Sequence, residues 1–134
     1  LTRGDIDAER ETLVRVQTIN ALRDVLGTRI KGTEPGWSYR RAMERIGAEG
    51  NGAVVLIGQN ITAEQQLADV QQFPTAAEAA SPDRPAGVQN YRVIGTGSQI
   101  LKRLGVRKMR LMSAPIHFNA LSGFNLEVTD FIQP

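Results

Sequence analysis

Residues 94–134 read IGTGSQILKRLGVRKMRLMSAPIHFNALSGFNLEVTDFIQP. This stretch decides the fold class, because its hydrophobic period changes from helical to extended and back. Over Gln99–Leu104 the apolar residues Ile100, Leu101 and Leu104 recur at helical spacing, and Gly105 supplies the left-handed stop that other residues tolerate poorly. Lys108–Met112 then alternates Lys108 and Arg110 with Met109 and Leu111, the period of a half-buried strand. Pro115 opens a helix over Ile116–Leu121, with Phe118 and Leu121 three apart; Gly123 ends it, and Leu126, Val128 and Phe131 restart an extended run. A helix between two such strands is the pattern of a crossover joining parallel neighbours.

The rest of the chain continues the alternation. Thr12–Val16 is a strand with Leu13, Val14 and Val16 apolar and Arg15 turned outward. Ile19, Leu22, Val25 and Leu26 mark a short helix, capped by Thr18 or Asn20 and ended by Gly27. Trp37–Ala48 is an amphipathic helix whose stripe is Met43 and Ile46 with Trp37 or Tyr39. Its polar side carries Arg40, Arg41, Glu44 and Arg45, with Glu44 placed to pair with Arg40 or Arg41. The unbroken run AVVLIG, residues 53–58, is a central strand buried on both faces. Ala63–Gln72 is a helix capped by Thr62 with Leu67 and Val70 facing inward, and 73–87, with Pro74, Pro82 and Pro85, is a long surface loop. The sum is an α/β domain with a mixed or mostly parallel sheet flanked by helices. The polar residues 1–11 are a lead-in or linker from an upstream domain, and 12–134 are the domain itself.

Composition narrows the function. A chain of 134 residues holds one core, burying roughly two-thirds of its unfolded surface. The absence of cysteine removes disulfides, thiol nucleophiles and thiolate metal sites. Sixteen basic residues are scattered among fourteen acids, so no nucleic-acid footprint forms. The densest basic run, Lys102, Arg103, Arg107, Lys108 and Arg110, straddles a helix end and a strand and reads as a solvated edge. No apolar run is long enough to cross a bilayer, and a cytoplasmic location is expected.

The wording of two segments carries more than their periodicity. GSQILKRLGVRKMRLMS, followed by ALSGFNLEV, resembles the C-terminal part of GTP cyclohydrolase II, the zinc enzyme that opens GTP at the start of riboflavin synthesis. In many bacteria that domain is fused behind 3,4-dihydroxy-2-butanone 4-phosphate synthase. The resemblance therefore implies a GTP cyclohydrolase II-like fold, truncated relative to the family, with the synthase as same-chain partner and a homodimer as a further possibility.

Residue by residue, the resemblance fails at the chemistry. LVRVQTIN, residues 13–20, resembles the strand leading into the family's H-S-E-C segment, yet Gln17 stands for its histidine, Ile19 for its glutamate and Asn20 for its first metal cysteine. In the R-C-D-C-G segment Thr33 and Pro35 occupy the two other cysteine positions. A catalytic zinc takes three ligands with imidazole, thiolate or carboxylate donors, so no metal and no other cofactor is expected. The lone His117 is a surface or loop histidine. The R-Q-E-G-R phosphate segment is here Gly58, Gln59, Asn60, Ile61 and Thr62, without either arginine. In the D-x-R segment Asn90 replaces the aspartate, while Arg92 keeps the arginine as the one retained family catalytic position. Met112, Ile116 and His117 stand near the threonine and lysines of L-T-N-N-P-K-K, leaving Pro115.

Gly95, Thr96 and Gly97 before a helix suggest a phosphate loop, but complete no such motif and read as steric necessities. Glu44, Glu49, Glu64, Asp69 and Glu78 form no acid–base pair by spacing. The expected function is a degenerate cyclohydrolase-like domain, structural or regulatory, beside the synthase. A nucleotide- or flavin-sensing module around Arg92 is the alternative, and an active cyclohydrolase with a rebuilt site the third reading.

Overall fold

The computed structural model describes residues 1–28, 36–58, 60–72, 88–115 and 124–134. Its strands are β1 (Thr2–Arg3), β2 (Glu11–Thr18), β3 (Gly52–Ile57), β4 (Lys108–Leu111) and β5 (Glu127–Phe131), in one sheet ordered β1-β3-β2-β4-β5. From β3 to β5 all neighbours run parallel; β1 alone is antiparallel. Helices α1 (Tyr39–Glu49), α2 (Ala63–Gln72) and α3 (Val88–Arg103) follow β2, β3 and the α2–α3 connection in turn, and a single π-helical turn spans Ala21–Val25.

Alternation along β2 and β3 builds two cores. Leu13 and Val54 face α1, where they meet Ala42, Ile46, Trp37 and Met112. Val14, Ala53 and Val55 face α3, where they meet Leu101, Val106, Met109 and Leu111. Of the 53–58 run, Ala53–Val55 are buried on both faces, Leu56 and Ile57 are half-buried and Gly58 is exposed, and β2 rather than β3 holds the middle of the sheet.

Local signals set the helix ends. The Ser38 hydroxyl accepts from the Arg41 N–H at 3.3 Å, and Gly50 closes α1 at φ 83°, its N–H donating to Ile46 O. After α3, Gly105 stands at φ 87°. The Val106 N–H reaches Leu101 O and the Gly105 N–H reaches Lys102 O, both at 3.1 Å, while the Val106 and Leu101 side chains share the core. Thr62 and Gln65 form a reciprocal cap on α2, backbone N–H to side-chain oxygen in both directions.

Several expectations need correction. Helix α3 begins at Val88, so Gly95 and Gly97 lie inside it and not before it. A Cβ on Gly97 would come within 2.7 Å of Val16 Cγ1, so glycine is there because the helix backbone rides directly on β2. Arg15 is not outward: it shares the α1 face with Leu13 and Gln17. On α1 the buried pair is Ala42 and Ile46, while Met43 is 37% exposed; Arg45 rather than Glu44 forms the helical ion pair, with Glu49. Glu49 also pairs with Arg110 of β4, which ties the end of α1 to the sheet. Leu67 and Val70 point outward, because α1 and α3 already cover the two sheet faces. Val25 and Leu26 are exposed as well. Residues 1–11 are mostly exposed as expected, yet Thr2–Arg3 joins the sheet. The helix expected over Ile116–Leu121 and the loop 73–87 lie outside the described residues.

Substituting two glycines should separate two kinds of constraint. Gly52→Ala places a Cβ 2.6 Å from Leu13 O and 2.7 Å from Ile46 Cγ1. It should cost about 2–3 kcal/mol as overpacking. Gly105→Ala meets nothing within 4 Å but must hold φ 87°. It should cost about 1–2 kcal/mol as left-handed strain. Urea denaturation midpoints in that order would confirm the packing.

Candidate functional site

The chain leaves β2 to build β3 on one side and returns to place β4 on the other. In open α/β sheets such a reversal opens a crevice at the carboxyl end of the strand between, the usual place for ligands. Here that end carries Gln17, Thr18, Ile19 and Asn20, followed by the π-helical turn.

A buried polar network occupies this position. Arg15 and Gln17 are two apart on β2 and so share a face. The Arg15 Nε donates to Gln17 Oε1 at 2.9 Å, one terminal nitrogen donates to Met112 O and the other to Trp37 O at 3.4 Å. Gln17 Nε2 then donates to Asp24 Oδ1 at 3.3 Å, and the Asn20 N–H donates to Asp24 Oδ2 at 2.9 Å. Gln17 and Asp24 are 5% and 4% exposed, so these bonds are made away from water, where an unmet donor or acceptor is costly. The turn that delivers Asp24 is held by the Leu26 N–H bonding to Ala21 O at 3.0 Å, and Gly27 leaves it at φ 65°.

One guanidinium thus joins three segments: the end of β2, the approach to α1 and the residue after β4. Trp37 adds a second tie, its Nε1 donating to Ile132 O at 2.8 Å after β5. Arg15 and Asp24 were both absent from the sequence-based site. The available signal was an arginine inside the apolar run LVRV, with a second polar residue two positions on.

The donor set does not suit zinc. Gln17 and Asn20 offer amides, Ile19 offers nothing, and both oxygens of Asp24 already accept hydrogen bonds. Among the described residues no three of His, Cys, Asp and Glu come together. Thr33, Pro35, Gln59, Ile116 and His117 lie outside the described residues, as do the side chains of Asn90 and Arg92, which belong to α3. Gly58, Asn60, Ile61 and Thr62 follow β3 at the same end of the sheet, Thr62 being spent on capping α2. Among the described residues no helix is long and apolar enough to cross a membrane.

The GTP cyclohydrolase II family model matches residues 1–133. A 3,4-dihydroxy-2-butanone 4-phosphate synthase of Pseudomonas aeruginosa is 45% identical over 133 residues, covering 98% of this chain and 34% of that protein. The riboflavin biosynthesis protein RibBA of Parabacteroides distasonis is 31% identical, covering 97% of this chain and 33% of its own length. Among solved structures, RibBX, a two-domain 3,4-dihydroxy-2-butanone 4-phosphate synthase from A. baumannii, aligns with a TM-score of 0.58 at 34% identity, covering 93% of this chain and 29% of that one. The chain spans about a third of the length of the curated relatives it matches.

Arg15→Met keeps an apolar stem but strips the donors from Met112 O, Trp37 O and Gln17 Oε1. It should lower stability by about 2–4 kcal/mol. Arg15→Lys should recover only part of that, since an ammonium cannot address three acceptors along a planar fork. Thermal and urea unfolding read both; unchanged midpoints would show that the network is not what holds these segments.

Proposed function

Because the chain belongs to the GTP cyclohydrolase II family while its β2 end carries amides where the family carries metal and base side chains, we propose that it is a degenerate cyclohydrolase-like domain. It would belong to a cytoplasmic riboflavin-synthesis protein, behind a 3,4-dihydroxy-2-butanone 4-phosphate synthase. Its role would be to support or regulate that enzyme and not to open GTP. The observation that carries this reading is the closed network of Arg15, Gln17 and Asp24. It commits both oxygens of the Asp24 carboxylate, one to Gln17 Nε2 and one to the Asn20 N–H.

The sequence around the network agrees. Asn20, Thr33 and Pro35 replace the three cysteines, and Gly58 and Thr62 replace the two arginines that would grip a triphosphate. Arg92 alone remains of the family's catalytic positions. One guanidinium cannot orient a nucleotide and activate water without a metal or a base. The positions that stay are the ones the fold needs, such as Gly52 under Ile46, Gly97 over Val16 and Gly105 at the end of α3. The relatives' own names, synthases three times as long, support the fused partner.

The full-length protein, incubated with GTP and zinc, should release no formate above a protein-free control and should retain only substoichiometric zinc after dialysis. Its synthase activity should meanwhile be intact. Formate release at catalytic rates, or one tightly held zinc per chain, would overturn the reading.

A further inference from the structure

Nine large apolar side chains are exposed among the described residues, and five of them, Ile19, Val25, Leu26, Leu67 and Val70, lie on the segments leaving the carboxyl ends of β2 and β3. An isolated exposed leucine needs no explanation, but apolar side chains paired on one uncovered helix face mark a contact surface. Helix α2 is its clearest part. Leu67 and Val70, 57% and 50% exposed, are three apart and so share a helix face. No described helix or strand packs extensively against α2. Ten residues are too few to hold a helix in water without a packed face, whatever the cap contributes.

The composition of α2 points the same way. Its polar positions are mostly amides, Gln65, Gln66, Gln71 and Gln72, whereas the outer side of α1 is charged with Arg40, Arg41, Glu44 and Arg45.

The β1 ladder indicates what covers this rim. Leu1 exchanges both backbone bonds with Val54, its amino group donating to Val54 O at 3.0 Å and the Val54 N–H donating to Leu1 O at 2.8 Å. Were the antiparallel pairing extended beyond Leu1, a preceding segment would run toward the carboxyl end of β3. From Val54 that end, Ile57, is three residues, about 10 Å, away. Past it begins the segment leading into α2.

We propose that the α2 rim, with Leu67 and Val70 at its centre, is the docking surface for the polypeptide that precedes Leu1 in the longer protein. This rests on the reading above, in which a synthase domain precedes this one; the threefold length of the relatives supplies the missing partner. The domain then supports the synthase through an apolar contact on α2.

The test uses the full-length protein cleared of cysteines outside this segment, which has none of its own. Leu67→Cys and Val70→Cys are compared with Glu44→Cys, on the solvated side of α1. Maleimide labelling at positions 67 and 70 should be at least about tenfold slower than at 44, as for a site reached only on local opening. A photo-crosslinker coupled at Leu67→Cys should yield adducts with peptides preceding Leu1, in a yield independent of protein concentration. Equal labelling rates would overturn the docking surface. So would adducts with residues 73–87, or concentration-dependent adducts with the same domain of a second copy. The formate assay is independent of these readouts: turnover of GTP would sink the functional reading alone, and a gene lacking any synthase sequence before Leu1 would remove the partner itself.

Discussion

Strand β2 is bonded along both edges and covered on both faces, and the rest of the domain follows from that saturation. Its backbone pairs with β3 from Leu13 to Thr18 and with β4 from Glu11 to Val14. One face is closed by α1 and the other by α3. A strand in this position favours apolar side chains or polar ones whose partners are supplied; Thr12, fully buried with no partner for its hydroxyl, is an exception. Leu13, Val14 and Val16 meet the first condition, and Arg15 and Gln17 the second. The same saturation explains the glycines: α3 rides on Val16 at Gly97, and β3 slips under Ile46 at Gly52, where any side chain would collide.

Where β2 runs out, the edges and faces open together, and a polar residue there can be functional. In this chain a hydrogen-bonded network of described residues spans that end of β2. A single arginine bonds the carbonyls after β4 and before α1, and a carboxylate from the π-helical turn closes over the glutamine between them. Arg15 and Asp24 here hold the end of β2 to the segments after β4 and before α1.

Parts of this were legible in the sequence because their causes are local. The alternation of Lys108–Leu111, the left-handed stop at Gly105 and the Thr62 cap each depend on residues within a few positions, and each lies where the sequence places it. Errors came where a distant surface decided. Gly95 and Gly97 read as a loop because glycine is a poor helix former, yet both lie within α3, and at Gly97 closeness to Val16 of β2 requires glycine. Leu67 and Val70 read as inward because apolar periodicity shows which residues share a face and not what that face meets. Arg15 read as outward because charge predicts exposure, unless carbonyls from 22 and 97 residues away converge on it.

By itself the sequence determined the α/β alternation, the family and the loss of the thiols, because periodicity, glycine positions and residue identity are properties of the chain alone. The tertiary structure decided the order of the strands, the joining of half-buried Arg15 and buried Asp24 in one network, and the outward face of α2. Those depend on which backbone carbonyls and which sheet faces are already taken, and that is settled only when segments far apart in the chain compete for the same space.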